Sequence, residues 1–132
     1  MSKMAIQTKQ QKRAEFALKS LEKFEGKEVS KDYAQFIVGV PTMILTNGLG
    51  QTLAFLKAKS AKKKERGFVY ETMKAYLIKE FPVFSACKDD VDFLKKLNEI
   101  SQADYIRMQG ESLLMLEWLK RYARAFEQKT EE

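Results

Sequence analysis

The chain has 132 residues, 45% of them hydrophobic and 32% charged, with only two prolines. That is enough for one packed domain, 1–132, and it argues against a disordered chain. The formal net charge is +6, with 14 Lys/Arg against 6 Asp/Glu in residues 1–66 and 10 against 12 in residues 67–132. A basic half points to a polyanionic partner, nucleic acid above all, or to lysines that merely solvate helix faces. There is no histidine, which removes Ser-His and Cys-His nucleophile pairs, histidine general bases and histidine metal ligands.

The opening residues, MSKMAIQTKQQKRAEF, have no continuous apolar core, so no secretory leader is expected and a cytoplasmic setting is. No stretch reaches the roughly 20 apolar residues of a membrane span. A first helix is predicted over Ala5–Glu25, with Ala14, Ala17/Leu18, Leu21 and Phe24 as its inner stripe and Gly26 as its stop. A second starts after the N-cap Ser30, buries Tyr33, Phe36 and Ile37, and ends before Pro41. A third opens on Pro41 and runs through PTMILTNGLGQTLAFLK to about Ser60. Being apolar on all sides, it reads as the buried axis of the domain.

The run Lys57–Arg66 is predicted to be a fraying helix end and a solvated loop. A fourth helix follows over Gly67–Phe81, with Val69/Tyr70, Met73, Leu77 and Phe81 in register, and stops at Pro82. Asp89 or Asp90 caps a fifth, with Val91, Leu94 and Leu97 inward. The last helix starts at Ser101, which forms a capping box with Asp104, while Ile100 and Tyr105 form a hydrophobic staple. Its inner stripe is Tyr105, Met108, Ser112, Met115/Leu116, Leu119, Tyr122/Ala123 and Phe126. No alternating run marks a strand. The expectation is an all-α, compact single-domain bundle of about five or six helices.

Gly48 and Gly50 do not read as a phosphate loop: no strand precedes them, and neither G-x-G-x-x-G nor G-K-[ST] spacing follows. They read as points of close helix approach. Asp89, Asp90 and Asp92 suggest either a Mg²⁺ site, and with it a carboxylate-dependent nuclease, or simple helix capping, which is favoured. Cys87, the single cysteine, has no histidine beside it and reads as a packed residue that cannot form an internal disulfide. Trp118 and Tyr122 read as core-edge aromatics or as base-stacking platforms. Lys120, Arg121 and Arg124 recur at helical spacing, and Lys9 and Lys12 lie three apart beside Arg13. Such strips either track a sugar-phosphate backbone or close the helix ends.

Three segments together, KRAEFALKSLE, VPTMILTNGLGQTLAFLKAKS and YIRMQGESLLMLEWLKRYARAF, resemble the small subunit of the type III-B CRISPR ribonucleoprotein, the Cmr RNA-targeting effector complex. The middle segment carries the most specific pattern, in Pro41, Asn47, Gly48, Leu49, Gln51 and Phe55. The resemblance implies an all-α subunit with no catalytic residues of its own; from the residues themselves no metal and no cofactor are expected. It implies several copies along the effector, beside the guide-RNA-binding backbone subunit and other Cmr subunits, contacting guide RNA and target RNA but no membrane. RNA-contact candidates, chosen by charge and position, are Lys12, Arg13, Lys57, Lys59, Lys62, Lys63, Lys64, Arg66, Lys120, Arg121 and Arg124. Asn47 and Gln51, one helical turn apart, are candidates for a subunit interface or for capping an internal helix break. The alternative is a helical protein–protein adaptor that does not touch RNA.

Overall fold

A computed structural model describes residues 6–129. Six α-helices fill them: α1 (Lys9–Glu25), α2 (Lys31–Asn47), α3 (Leu49–Lys59), α4 (Lys64–Glu80), α5 (Asp90–Glu99) and α6 (Gln102–Ala125). A 3₁₀ turn, Pro82–Phe84, joins α4 to α5. The all-α class is as the periodicity predicts. The predicted onset of the first helix, Ala5, lies outside the described residues; α1 begins at Lys9. Thr8 caps α1 in a capping box with Gln11. Ser30, Asp89 and Ser101 cap α2, α5 and α6, each accepting a backbone N–H three residues on. At α6 only the Ser101 half of the expected box is present. The Asp104 carboxylate accepts a hydrogen bond from Arg107 instead.

Pro41 does not open a helix but lies inside α2. An interior proline loses one backbone hydrogen bond and crowds the preceding turn, typically costing about 3 kcal/mol. The apolar stripe Tyr33, Ala34, Ile37, Val40 and Ile44 is buried on both sides of it, and that continuous packed face outweighs the local penalty.

The break falls at Gly48 instead, with φ 88° and ψ 163°, a backbone region essentially reserved for glycine. Its N–H donates back to the Ile44 carbonyl at 2.7 Å and so closes α2. The new N-terminus at α3 has no capping side chain of its own. It is capped from α6: Leu49 N–H donates to Gln109 Oε1 at 3.0 Å and Gly50 N–H to the Tyr105 hydroxyl at 2.7 Å. A Cβ on Gly50 would lie 3.3 Å from that hydroxyl oxygen, so glycine there admits the tyrosine.

α4 starts three residues before the predicted Gly67. Lys63 precedes it with no side-chain cap, so nothing local announces the start. One core collects Leu21, Ile37, Ile44, Leu53, Leu56, Met73, Leu77, Phe93, Leu97, Met115, Leu116 and Leu119 from all six helices. At about 1.5–3 kcal/mol per large apolar side chain buried, this packing dominates the marginal helix propensities. The PTMILTNGLGQTLAFLK stretch is not buried all round. Ile44, Leu49, Leu53 and Leu56 face the core, while Leu45 is 70% exposed and Phe55 38% exposed.

The last described residues return to the α1–α2 connection. Val29 N–H donates to the Phe126 carbonyl at 2.8 Å and Gln128 N–H to the Val29 carbonyl at 2.7 Å. This parallel bridge is the one β-type pairing among the described residues. It leaves Phe126, predicted as the end of the inner stripe, about half exposed.

Candidate nucleic-acid interface

Five of the eleven candidate cations are engaged within the molecule. The Arg13 guanidinium donates to both carboxylate oxygens of Glu111, at 3.0 and 2.7 Å, and Tyr76 adds its hydroxyl to Glu111 at 2.7 Å. This set joins α1, α4 and α6. The hydrogen bond from Arg13 holds the Glu111 carboxyl below the usual range against the opposing effect of burial, and the same bond raises Arg13. Burial, then the bond to Glu111, pushes the Tyr76 hydroxyl up.

Lys57 pairs with Asp90 at 3.0 Å. Arg66 pairs with Glu65 at 2.9 Å and lies over the Phe36 ring at 4.2 Å. Lys120 pairs with Glu117 and Arg124 with Glu127, each three residues apart on or beside α6. Of these, Arg13 is held inside the molecule, whereas the exposed pairs of Lys57, Lys120 and Arg124 hold their cations only weakly.

The remaining candidates, Lys12, Lys59, Lys62, Lys63, Lys64 and Arg121, are exposed and make no ion pair among the described residues. Four of them gather at one tight connection: Lys62 and Lys63 lie between α3 and α4, and Lys59 and Lys64 are the helix ends that flank it. Lys62 N–H and Lys63 N–H both donate to the Lys59 carbonyl, at 3.1 and 3.0 Å. The predicted loop is thus an ordered turn that presents four lysines together. Arg121 stands apart on α6. Lys63 and Arg66 also border a shallow hollow of about 270 Å³ with Asp32, Gln35 and Phe36.

A second basic locus was only half legible in the sequence. Lys12 and Arg13, joined by Lys9 from α1 and Arg107 from α6, line a groove of about 260 Å³. The Lys9–Lys12 spacing is visible on one helix. Arg107 gives no sequence signal, because it reaches the groove only through tertiary packing.

Asn47 and Gln51 are both exposed. The internal helix break is capped not by them but by Gln109 and Tyr105. Around Asn47 and Gln51 the exposed positions Val38, Thr42, Leu45, Thr46, Ala54 and Phe55 are uncharged, as is every residue from Tyr33 to Leu56. The exposed charges of α2 and α3 lie at the ends of this run, Lys31 and Asp32 at one and Lys57 and Lys59 at the other.

The acidic trio has internal duties. Asp89 caps α5, and Asp92 accepts from Lys88 N–H. Asp90 accepts from Tyr70 at 2.8 Å and Lys74 at 2.7 Å. The Lys74 bond chiefly, then those from Tyr70 and Lys57, holds Asp90 far below the carboxylate range despite burial. Among the described residues no group of three or more His, Cys, Asp or Glu side chains is placed to hold a metal ion. Trp118 is half-buried and donates Nε1–H to Gln10, and its ring lies 5.7 Å from that of Tyr122. Cys87 is half-buried against the core. No helix among the described residues is long and apolar enough to cross a membrane.

A family model described as CRISPR-associated protein (Cas_Cmr5) matches residues 9–126, from the first residue of α1 to the residue that closes α6. The chain belongs to this family, in agreement with the resemblance carried by its three segments.

Proposed function

We propose that this member of the CRISPR-associated Cmr5 family is a non-catalytic, single-domain structural subunit of a type III-B Cmr effector. In this reading it stands in several copies beside the guide-RNA-binding backbone subunit in the cytoplasm and contacts guide or target RNA through phosphates. The observation that carries it is the segregation of charge. Lys59, Lys62, Lys63 and Lys64, all exposed, gather at the α3–α4 turn, while the run from Tyr33 to Leu56, most of α2 and α3, has no charged residue. Unpaired lysines in a turn suit sequence-independent neutralisation of phosphates. A charge-free exposed surface suits protein, because depletion of charge marks the centre of protein interfaces. Asn47 and Gln51 belong to that second surface.

The test is binding of labelled single-stranded RNA by the chain alone and by the assembled complex, over a range of salt. The logarithm of affinity should fall linearly with the logarithm of salt, by about 0.7 per phosphate contact. Reversing Lys59, Lys62, Lys63 and Lys64 to Glu should flatten that slope without unfolding the chain, since all four side chains point to solvent. No salt-dependent RNA contact in either setting would leave the adaptor reading, which the uncharged side of α2 and α3 favours.

A further inference from the structure

The groove between α1, the end of α4 and the middle of α6 holds charges that the lysine turn does not account for. Lys9 and Lys12 stand on its α1 side, exposed, and neither has a carboxylate in ion-pairing distance among the described residues. In the groove wall, Glu111 is hydrogen-bonded by Arg13 and Tyr76 and also feels the charge of Lys9, so one carboxylate there is shared between Arg13 and the lysines.

Arg107 faces them from α6. Its guanidinium lies 5.2 Å from the centre of the Phe81 ring, a ring only 5% exposed, and it spends one N–H on Asp104 at 3.2 Å. A guanidinium has five N–H donors, so this one is steadied on an apolar wall with donors to spare. Glu80, also lining the groove, is the one carboxylate there without a hydrogen bond or ion pair among the described residues.

We propose that this groove seats the phosphodiester backbone of single-stranded RNA, with Lys9, Lys12 and Arg107 neutralising phosphates. The inference rests on the RNA-binding reading above and adds a second contact surface, on helices other than those flanking the lysine turn. Three cations from two helices along an open groove match a chain of phosphates. Tyr76 and Phe81, the aromatic side chains of the wall, are both buried and offer no open face for stacking, so the contact is to the backbone and indifferent to sequence.

The experiment uses fluorescein-labelled oligouridine with four proteins: the unaltered chain, the lysine-turn variant, the groove variant Lys9→Gln/Lys12→Gln/Arg107→Gln, and Glu80→Gln. The groove variant should lower the magnitude of the salt slope by up to about 2, with an unchanged circular-dichroism spectrum. Glu80→Gln should tighten binding at low salt. Absence of binding by the unaltered chain, both alone and in its complex, overturns the RNA reading itself. Binding with an unaltered slope in a folded groove variant overturns the groove and leaves that reading standing. If the groove variant fails to fold, Glu80→Gln decides, and unchanged affinity counts against the groove.

Discussion

Asp90 accepts hydrogen bonds from Tyr70 and Lys74 on α4, and its other oxygen pairs with Lys57 at the end of α3. One carboxylate therefore ties α5 to two other helices. Replacing it with Asn should cost about 2 kcal/mol, the scale for hydrogen bonds to a charged group, moderated by its partial exposure. The pH dependence follows from the direction of its shift. The folded chain holds the Asp90 carboxyl well below the ordinary aspartate value of about 4. The unfolded chain then takes up the proton first, so the stabilisation is complete above that ordinary value and drains as the pH falls through the folded one. Glu111, also held low, adds to the same acid limb. Denaturant midpoints measured from about pH 7 down to about pH 2 should fall less steeply in Asp90→Asn; an identical acid slope would refute the assignment. From sequence, Asp90 is legible only as one of three acids at a helix start, because Tyr70, Lys74 and Lys57 come to it through folding. The same limit explains why Arg13 and Lys57 look like free cations in a sequence and are not; Arg66 pairs with its neighbour Glu65, and only its contact with Phe36 comes through folding. Arg13 meets its partner 98 positions away, whereas the cluster Lys59–Lys64 is local and therefore readable.

Helix identity was legible where an apolar stripe and a cap coincide, as at Ser30 and Ser101. At Asp89 the cap and the helix are as expected, but of the stripe Val91, Leu94 and Leu97 the first is 71% exposed, and Phe93 is buried instead. Legibility failed where two local signals conflict. Pro41 and Gly48 both mark candidate boundaries, and a proline rule places the break at the first. The stripe from Tyr33 to Ile44 carries α2 through the proline. Gly48 takes the boundary because α6 supplies the caps for the helix that follows. Those caps, Gln109 and Tyr105, lie 60 and 55 positions away, beyond any local reading. Gly48→Ala should lose about 1–3 kcal/mol, since its backbone angles are closed to a residue with a Cβ. Tyr105→Phe should lose about 1–2 kcal/mol by stranding the Gly50 N–H while keeping the ring. Thermal melts of the two single variants and the double variant check both figures. If both act at this one junction, their effects should combine less than additively. Strict additivity, or wild-type stability in either single variant, would mean that the α6 side chains do not hold the break.

At the scale of the whole molecule, the charge asymmetry of the sequence becomes a division of surface. The lysine turn and the groove carry cations, while the outer side of α2 and α3 exposes Leu45, Asn47 and Gln51 without a charge. If the first surfaces meet RNA and the second meets a neighbouring subunit, the two functions should separate on mutation. Leu45 is 70% exposed and makes little contribution to the core, so Leu45→Glu should leave stability within about 0.5 kcal/mol. The added charge would, however, sit desolvated and unpaired in a protein interface, which costs several kcal/mol. The expected outcome is a folded chain that still binds oligouridine with the original salt slope but no longer co-purifies with the other subunits. The lysine-turn variant should show the converse: retained assembly with a flattened slope. If Leu45→Glu assembles normally while the lysine-turn variant falls out of the complex, the assignments are reversed. The lysines would then be the protein contact, as expected of an adaptor that meets acidic partners.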